Sequence, residues 1–292
     1  MEARVAGERS TTVAQLPGGH VEYWLSAGEG PVALVLHGGH MRAGLPLGEE
    51  VFEEAGMRVL TPSRPGYGRT PLETGPSPAA FADVIRDLCA ELGITGLQAA
   101  VGISAGGPTA VAMAARHPGL VRRLILESAV GPLPWPGRLT RLLGGTLFHP
   151  KFEKATWSAM HVLARKAPNI ALRSLMRDLS LRPAREVVGA LDSDDRRRAL
   201  KLLSAMQSGA GFSNDLRFLA QGATDAATVS QPALVIATVE DGSVPIAHAR
   251  ATADAMPRAR LVTTQADSHF IWFGRDYARV ASQIRAFLAA PL

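Results

Sequence analysis

The segment Leu97-Gln-Ala-Ala-Val-Gly-Ile-Ser-Ala-Gly-Gly107 carries the strongest structural signal in this chain. An apolar run typical of a buried strand ends in Gly-x-Ser-x-Gly, and a helical pattern begins directly after it. Such a turn lifts one hydroxyl above the end of the strand, and the flanking glycines let the two arms approach closely. Ser104 is therefore a candidate nucleophile beside the amide groups of a helix N-terminus. The alternative is a serine in an ordinary glycine-rich loop, because the pattern is short.

Two residues nearer the C-terminus could complete a hydrolytic site with this serine. Hydrolysis of an acyl bond needs a base to take the nucleophile's proton and a group that orients the base. His269 follows a strand-like run at 260–264, which predicts a loop position before the final helix. Asp241 follows the buried-strand pattern at 232–238, where ligand sites of α/β proteins form. The competing interpretations are a surface-loop histidine and a turn-forming aspartate before Gly242.

Several segments, in the order found here, resemble the α/β-hydrolase fold superfamily, and the resemblance extends from about Val32 to the C-terminus. They are Pro31-Val-Ala-Leu-Val-Leu-His-Gly-Gly-His40, Ser63-Arg-Pro-Gly-Tyr-Gly-Arg-Thr70, Gly102-Ile-Ser-Ala-Gly106, Asp241-Gly-Ser-Val-Pro245 and Ser268-His-Phe270. The resemblance implies a catalytic triad of Ser104, Asp241 and His269. It also implies a mostly parallel central sheet flanked by helices, with a helical cap over the site.

The same resemblance assigns the oxyanion hole to two backbone amides. The N–H groups of Gly39 and Ala105 are the expected donors, and the Gly-Gly pair lets the main chain pass close to a substrate. His37 is expected to brace this loop by hydrogen bonding. His40 and Trp272 are candidate pocket residues, although packing on the loop is the simpler role for His40.

A second carboxylate competes for the third position of the triad. Some members of the superfamily take their acid from the end of the strand that is predicted here at 122–127, and Glu127 ends that strand. Asp241 is favoured by its Asp-x-x-Val-Pro context and by its spacing from His269. The sequence therefore predicts Asp241 as the acid and leaves Glu127 as the alternative.

Alternating strand and helix patterns predict an α/β fold with a mostly parallel sheet and helices on both faces. The predicted strands span 11–16, 20–26, 31–36, 57–61, 97–103, 121–127, 233–238 and 259–264. The predicted helices span 48–55, 79–92, 105–116, 245–256 and 276–289, and His248 is expected on a solvated face of the fourth of them. The chain between the strands ending at 127 and beginning at 233 is far longer than a simple crossover needs and has helical periodicity. We expect residues 132–230 to form a helical cap, inserted into a core made of 1–131 and 231–292.

Large apolar side chains in this insertion are expected to pack its own core, while a minority face the pocket with Phe270, Trp272 and Phe273. They are Trp135, Phe148, Phe152, Trp157, Met160, Met176, Met206, Phe212 and Phe218. Pockets of this kind are largely apolar with few polar groups, which favours an uncharged and moderately hydrophobic acyl substrate.

Composition excludes several classes of protein. Of the 292 residues, 47% are hydrophobic and 20% are charged, which indicates a globular chain rather than a disordered one. The net charge of +5 comes from scattered arginines, and the run Arg196-Arg-Arg198 follows Asp194-Asp195, so no nucleic-acid partner is expected.

Cys89 is the only cysteine, so an internal disulfide is excluded, and its side chain is expected to be buried. No signal peptide is recognised at 1–15 and no apolar run could span a bilayer, which predicts a cytoplasmic protein without membrane contact.

The sequence thus predicts a serine hydrolase that cleaves small to medium, mostly apolar carboxylic esters through an acyl-enzyme intermediate. Its partner would be a small-molecule ester, and the chain would be a monomer or homodimer. Neither a metal nor an organic cofactor is expected, because no histidine pair has metal-ligand spacing. The same triad could instead transfer acyl groups, hydrolyse lactones or amides, or cleave carbon–carbon bonds beside carbonyls. A ligand sensor with slow turnover is the alternative from another class, whereas a serine at position 104 argues against epoxide or haloalkane hydrolysis.

Overall fold

An eight-stranded sheet with strand order β1-β2-β4-β3-β5-β6-β7-β8 forms the centre of the molecule. The structure is a computed structural model that describes residues 8–136, 153–222 and 225–292. The strands are β1 Thr12–Leu16, β2 Gly19–Leu25, β3 Val32–Leu36, β4 Arg58–Pro62, β5 Leu97–Ile103, β6 Leu124–Glu127, β7 Ala233–Thr238 and β8 Ala259–Thr264. β2 is antiparallel to β1 and to β4, and the other neighbours pair in parallel. The predicted mostly parallel sheet is confirmed.

Helices connect the strands and flank the sheet. In the described residues they are α1 Glu50–Glu54, α2 Pro78–Glu91, α3 Gly107–Arg116, α4 Glu153–Lys166, α5 Pro168–Leu179, α6 Ala184–Ala190, α7 Ser193–Leu203, α8 Gly211–Leu219, α9 Ala247–Ala255 and α10 Tyr277–Ala289. Local sequence explains where α2 begins. The Ser77 hydroxyl accepts a hydrogen bond from the Ala80 N–H at 3.1 Å, and Pro78 occupies the first turn, where no amide proton is needed.

Burial follows the sequence pattern from the centre of the sheet to its edges. All five residues of β3 and all six of β7 are buried, as expected for strands covered by helices on both faces. The edge strands β1 and β8 instead contain exposed and half-exposed positions. Cys89 lies buried in the packing of α2, as expected.

The pairing of the central strands determines which residues share the carboxyl edge of the sheet. Gly102 of β5 lies opposite Leu126 of β6, and Glu127 of β6 lies opposite Ile236 of β7. The chain therefore leaves β5, β6 and β7 at the same edge, where parallel sheets carry their ligand sites.

Between β6 and β7 the described residues form the helices α4 to α8 and a short 3-10 turn at Ala226–Thr228, with no strand among them. We call residues 153–222 the helical insertion. Its Trp157, Met176 and Met206 are buried in one hydrophobic cluster with Phe270 and Trp272 of the core. The insertion therefore packs directly on the sheet domain rather than standing apart. The predicted residues Phe148 and Phe152 lie outside the described part of the chain.

Two local expectations are wrong. β6 begins at Leu124 rather than at 121, because only Val121 makes an isolated bridge to Leu97 before regular pairing starts. His248, expected on a solvated helix face, is 4% exposed, and its Nδ1 accepts a hydrogen bond from the Gly131 N–H at 3.1 Å.

Candidate active site

Ser104 occupies a sharp turn between β5 and α3. Its φ angle is +49°, in the left-handed region that L-residues rarely adopt, and a 3-10 turn at Ser104–Gly106 leads directly into the helix. The glycines on both sides are required by space. A Cβ at Gly102 would lie 2.7 Å from the Cα of Gly107, and one at Gly106 would lie 2.6 Å from the carbonyl oxygen of His37. This strained turn is the strand–turn–helix that the sequence predicts, and backbone strain of this kind concentrates at functional sites.

Asp241 and His269 form a buried hydrogen-bonded pair. The distance from His269 Nδ1 to Asp241 Oδ2 is 2.7 Å. His269 is 4% exposed and Asp241 is 2% exposed. The other carboxylate oxygen, Oδ1, accepts the backbone N–H groups of Ser243 and Val244, each at 2.8 Å. Because a carboxylate only accepts, the proton of the imidazole lies on Nδ1, which leaves Nε2 able to accept a proton.

The loops that follow the central strands are tied to one another near Ser104. The Ser128 hydroxyl, directly after β6, donates to the carbonyl oxygen of His269 at 3.0 Å. Two residues further on, the Val130 N–H donates to the carbonyl oxygen of Ser104 at 2.9 Å. The segment 128–130 therefore bridges the serine turn and the histidine loop. The helical insertion also binds the histidine loop, because the carbonyl oxygen of Leu179 accepts a hydrogen bond from the His269 N–H at 2.7 Å.

Glu127, the alternative acid, lies in a different environment from Asp241. It is fully buried, and its Oε2 accepts the indole N–H of Trp272 at 2.9 Å, while Oε1 has no hydrogen-bond partner among the described residues. Burial raises the pKa of the Glu127 carboxyl to about 8, so the group is mostly protonated at neutral pH. Of the two carboxylates, Asp241 is the one hydrogen-bonded to His269. Trp272, expected at the pocket, is instead 1% exposed in the core with its indole directed at Glu127.

The loop after β3 contains the predicted oxyanion donor and lies against Ser104. A Cβ at Gly38 would lie 3.1 Å from the Cβ of Ser104, and a Cβ at Gly39 would lie 3.1 Å from the ring of Phe212 on α8. The next residue, His40, has a φ angle of +63°. The main chain of this loop therefore passes close to the serine on one side and to the helical insertion on the other.

His40 connects this loop to the insertion. Its Nδ1 lies 2.7 Å from the hydroxyl of Ser208, and its ring lies 4.0 Å from that of Phe212 between centroids. The Ser208 hydroxyl also accepts the indole N–H of Trp157 at 2.8 Å. Burial, with the nearby charge of Arg64, lowers the pKa of His40 to about 3, so its ring is uncharged at neutral pH.

A buried ion pair beside this loop was not predicted from the sequence. Arg64, which follows β4, donates two hydrogen bonds to the carboxylate of Asp215 on α8, at 2.7 and 2.8 Å. The Tyr67 hydroxyl donates to the same carboxylate at 2.6 Å. Arg64 and Tyr67 belong to the quoted Ser63–Thr70 segment, but their partner is distant in sequence and no local pattern indicates it.

Comparison with a family model settles the class of the protein. The model described as alpha/beta hydrolase fold matches residues 31–276, which include the serine turn, the Asp241–His269 pair and the whole helical insertion. This chain belongs to the α/β-hydrolase fold family. It is an enzyme of the hydrolase class.

Similar proteins support the same class. The hydrolase is 32% identical over 284 residues to the uncharacterized hydrolase YcgS of Bacillus subtilis, with 96% of this chain and 99% of that protein covered. It is 26% identical over 249 residues to a pimeloyl-[acyl-carrier protein] methyl ester esterase of Aromatoleum aromaticum, with 79% and 88% covered. A solved α/β-hydrolase fold protein from Nakamurella multipartita superposes with a TM-score of 0.80 at 26% identity, with 96% and 99% covered.

Apolar side chains surround the position of the predicted oxyanion donor Ala105. They come from the core and from the insertion and form one buried cluster: Tyr67, Ala105, Val130, Trp135, Phe212, Leu216, Leu219 and Val244. The Trp135 indole is fixed by donation to the Ser243 carbonyl at 2.7 Å. Apolar side chains of the core and of the segment after β6 therefore pack together beside the serine turn.

Neither a metal cluster nor a membrane helix occurs in residues 8–136, 153–222 and 225–292. No three histidine, cysteine, aspartate or glutamate side chains come together there as metal ligands would. Likewise, none of the helices described is both long enough and apolar enough to cross a membrane.

Proposed function

We propose that this hydrolase cleaves carboxylic esters with an uncharged, small to medium-sized and mostly apolar acyl group, through an acyl-enzyme formed on Ser104. The observation that carries the proposal is the Asp241–His269 pair, joined at 2.7 Å at the edge of the sheet where Ser104 occupies its strained turn. A base fixed in one tautomer, at the sheet edge that carries a serine hydroxyl, is the arrangement that acyl transfer needs.

In the proposed reaction the Ser104 hydroxyl attacks the ester carbonyl while its proton passes to Nε2 of His269. Asp241 keeps the Nδ1 proton in place and stabilises the imidazolium that forms. The tetrahedral intermediate then collapses, and the leaving alcohol takes the proton from Nε2. A water molecule, deprotonated by the same nitrogen, attacks the acyl-enzyme, and the acid is released with the serine restored.

The negative charge on the carbonyl oxygen would be stabilised by the N–H groups of Gly39 and Ala105. Ala105 lies in the first turn that leads into α3, where backbone amides have no partner within the helix. The partial positive charge of the helix N-terminus acts in the same direction. Two aligned donors of this kind are typical of acyl-transfer sites, and each contributes about 100-fold or more to turnover.

The charges near the site support an uncharged acyl group. The Arg64 guanidinium is already paired with Asp215 by two hydrogen bonds, so it is not free to bind a substrate carboxylate. Burial keeps the pKa of both His37 and His40 low, which leaves two neutral rings on the oxyanion loop. Together with the apolar cluster around Ala105, these groups favour an apolar substrate over an anionic one. The similar esterase from Aromatoleum aromaticum is named for the cleavage of a methyl ester, which agrees with the proposed bond type.

The test is a substrate screen with p-nitrophenyl esters of increasing acyl length, an amide, a lactone and a vinylogous β-diketone. We expect an ester of short or medium chain to be turned over fastest. Ser104→Ala should lower this rate by on the order of a million-fold and abolish labelling by a fluorophosphonate. Ser193→Ala, which changes an exposed serine at the start of α7, is the control and should retain both activities.

Each other outcome identifies an alternative. A faster lactone, amide or diketone would replace the ester proposal with hydrolysis of that bond on the same triad. Rapid labelling of Ser104 with slow turnover of every substrate would favour a ligand sensor. Labelling that survives in Ser104→Ala would show that another residue is the nucleophile.

A further inference from the structure

The ion pair of Arg64 and Asp215 joins the insertion to the core at a buried position. Arg64 is 4% exposed and Asp215 is 7% exposed, and the pair is bidentate. Although burial opposes it, the carboxylate of Asp215 raises the pKa of the Arg64 guanidinium, so the cation is firmly retained. A planar guanidinium whose two Nη atoms are both bound has little freedom to rotate, which fixes the direction of its Nε–H.

The Nε–H and the backbone N–H of Arg64 both donate to His37. Arg64 Nε donates to the carbonyl oxygen of His37 at 2.8 Å, and the Arg64 backbone N–H donates to His37 Nε2 at 2.9 Å. Because Nε2 accepts a hydrogen bond, the ring proton lies on Nδ1. Nδ1 therefore donates to the carbonyl oxygen of Gly38, at 2.7 Å. Burial and the charge of Arg64 hold the pKa of His37 well below its usual range, so this tautomer persists across neutral pH.

The Gly38 carbonyl and the Gly39 N–H belong to the same peptide group. A trans peptide is planar, with its C=O and N–H pointing in opposite directions. A hydrogen bond that fixes the Gly38 oxygen therefore also fixes the direction of the Gly39 N–H. Without such a bond a glycine pair rotates more freely than any other dipeptide.

We propose that Asp215 of the helical insertion is a positioning residue for the oxyanion hole, acting through Arg64 and His37 on the peptide between Gly38 and Gly39. The oxyanion hole is then complete only while the insertion is docked on the core. This inference rests on the proposed function for the identity of the donor, but the chain of hydrogen bonds is independent of the substrate.

A second set of contacts supports the dependence on docking. The Arg42 guanidinium, two residues beyond His40, donates to the carbonyl oxygen of Ala205 at 2.8 Å, and the Gln207 N–H donates to the carbonyl oxygen of His40 at 3.0 Å. Both partners belong to the segment between α7 and α8. The insertion thus binds the loop directly at positions 40 and 42, and it reaches His37 at the other end only through Arg64.

Three variants test the relay. Asp215→Asn removes the charge that orients the guanidinium. Arg64→Lys keeps a cation opposite Asp215 but has no Nε–H for the His37 carbonyl. The double variant R64M/D215L replaces the pair by apolar side chains of similar size and so leaves no unpaired buried charge. Glu50→Gln is the matched control, because it breaks another ion pair between core and insertion, Glu50 with Arg198 at 2.9 Å, that does not reach the oxyanion loop.

The readouts separate positioning from stability. For folded variants we expect kcat on the best ester to fall by about 100-fold, the loss found when one oxyanion donor is removed, while KM changes by less than about threefold. The affinity for an alkylboronic acid, which forms a tetrahedral adduct with the serine, should fall by the same factor as kcat. Hydrogen exchange in residues 37–42 should be faster than in the wild type. The control should show none of these changes.

Retention of kcat and boronic acid affinity by any folded variant of the three would overturn the proposal. So would a loss of kcat with unchanged boronic acid affinity, and so would failure of all three variants to fold, which would assign the pair to folding alone. If the wild type turns over no ester, the proposed function fails, and the relay is then judged by hydrogen exchange in the folded variants.

Discussion

Replacement of Asp241 by asparagine is the sharpest test of the proposed mechanism, because the structure dictates how the new side chain must orient. Oδ1 of Asp241 accepts two backbone N–H groups, from Ser243 and Val244, each at 2.8 Å. An amide NH2 at that position would face two donors, so the asparagine oxygen must occupy it. The NH2 group is then directed at Nδ1 of His269, where the carboxylate oxygen now lies at 2.7 Å.

This orientation reverses the tautomer of the histidine. The asparagine NH2 donates to Nδ1, so the ring proton moves to Nε2, and Nε2 can no longer accept the proton of Ser104. The imidazolium that forms in the reaction also loses its neighbouring negative charge. The expected loss in kcat is about ten-thousand-fold, or about 5 kcal/mol of transition-state stabilisation. The geometry of the loop should be preserved, because both backbone hydrogen bonds remain.

The assay is steady-state hydrolysis of the best p-nitrophenyl ester, with folding followed by circular dichroism. Glu127→Gln is the matched control, since it changes the other strand-end carboxyl to its amide. The Glu127 side chain bonds to Trp272 at 2.9 Å and not to His269, so this variant should lose less than about tenfold in kcat. A folded Asp241→Asn enzyme with near wild-type kcat would refute the reasoning. A larger loss in Glu127→Gln than in Asp241→Asn would make Glu127 the catalytic acid.

Three further predictions concern stability and specificity. Burial raises the pKa of Glu127 from 4.5 to about 8, so between these pH values the folded protein keeps a proton that the unfolded chain loses. The free energy of unfolding of the wild type, relative to that of Glu127→Gln, should therefore decrease by about 1.4 kcal/mol for each pH unit in this window. Urea unfolding at several pH values would measure this decrease. Gly106→Ala places a Cβ 2.6 Å from the carbonyl oxygen of His37 and should lower the free energy of unfolding by about 3 kcal/mol. Gly96→Ala is the control: its Cβ would have no neighbouring atom within 4 Å, so the same assay should show a change of less than about 0.5 kcal/mol. Phe212→Ala removes the ring beside Gly39 and should raise the ratio of kcat/KM for longer over shorter acyl esters by about tenfold, and an unchanged ratio would place the acyl chain elsewhere.

The sequence predicts those parts of the fold that depend on local patterns. β3 is apolar throughout and β7 is apolar up to its last residue, Thr238, and both are buried along their whole length. The turn at Ser104 has glycines at positions where a Cβ would have no room, so the local Gly-x-Ser-x-Gly pattern indicates it. His248 shows the limit of this approach. It is buried, and its ring accepts a hydrogen bond from Gly131, which lies 117 positions away in the chain.

The same limit separates what was predicted at the site from what was not. The serine turn and the Asp241–His269 pair follow strand-like runs, so the topology of a parallel sheet brings them to one edge. The Arg64–Asp215 pair joins residues 151 positions apart, and no periodicity or turn signal relates an arginine after β4 to an aspartate on α8. Trp272 is an intermediate case. An aromatic residue beside the histidine was expected to line a pocket, but the buried carboxyl of Glu127 binds its indole in the core.

The unpredicted contacts, together with burial, leave the ionisable groups near the serine turn with little net charge. The Arg64 charge is cancelled by Asp215, and burial leaves the rings of His37 and His40 neutral and the Glu127 carboxyl mostly protonated at neutral pH. In the proposed mechanism none of these groups gains or loses a proton when an ester is attacked. The Asp241–His269 pair is then where the charge changes during turnover. In low-dielectric surroundings the imidazolium and the negative carbonyl oxygen of the proposed transition state attract each other more strongly than in water, and neutral neighbours add no charge that opposes this attraction.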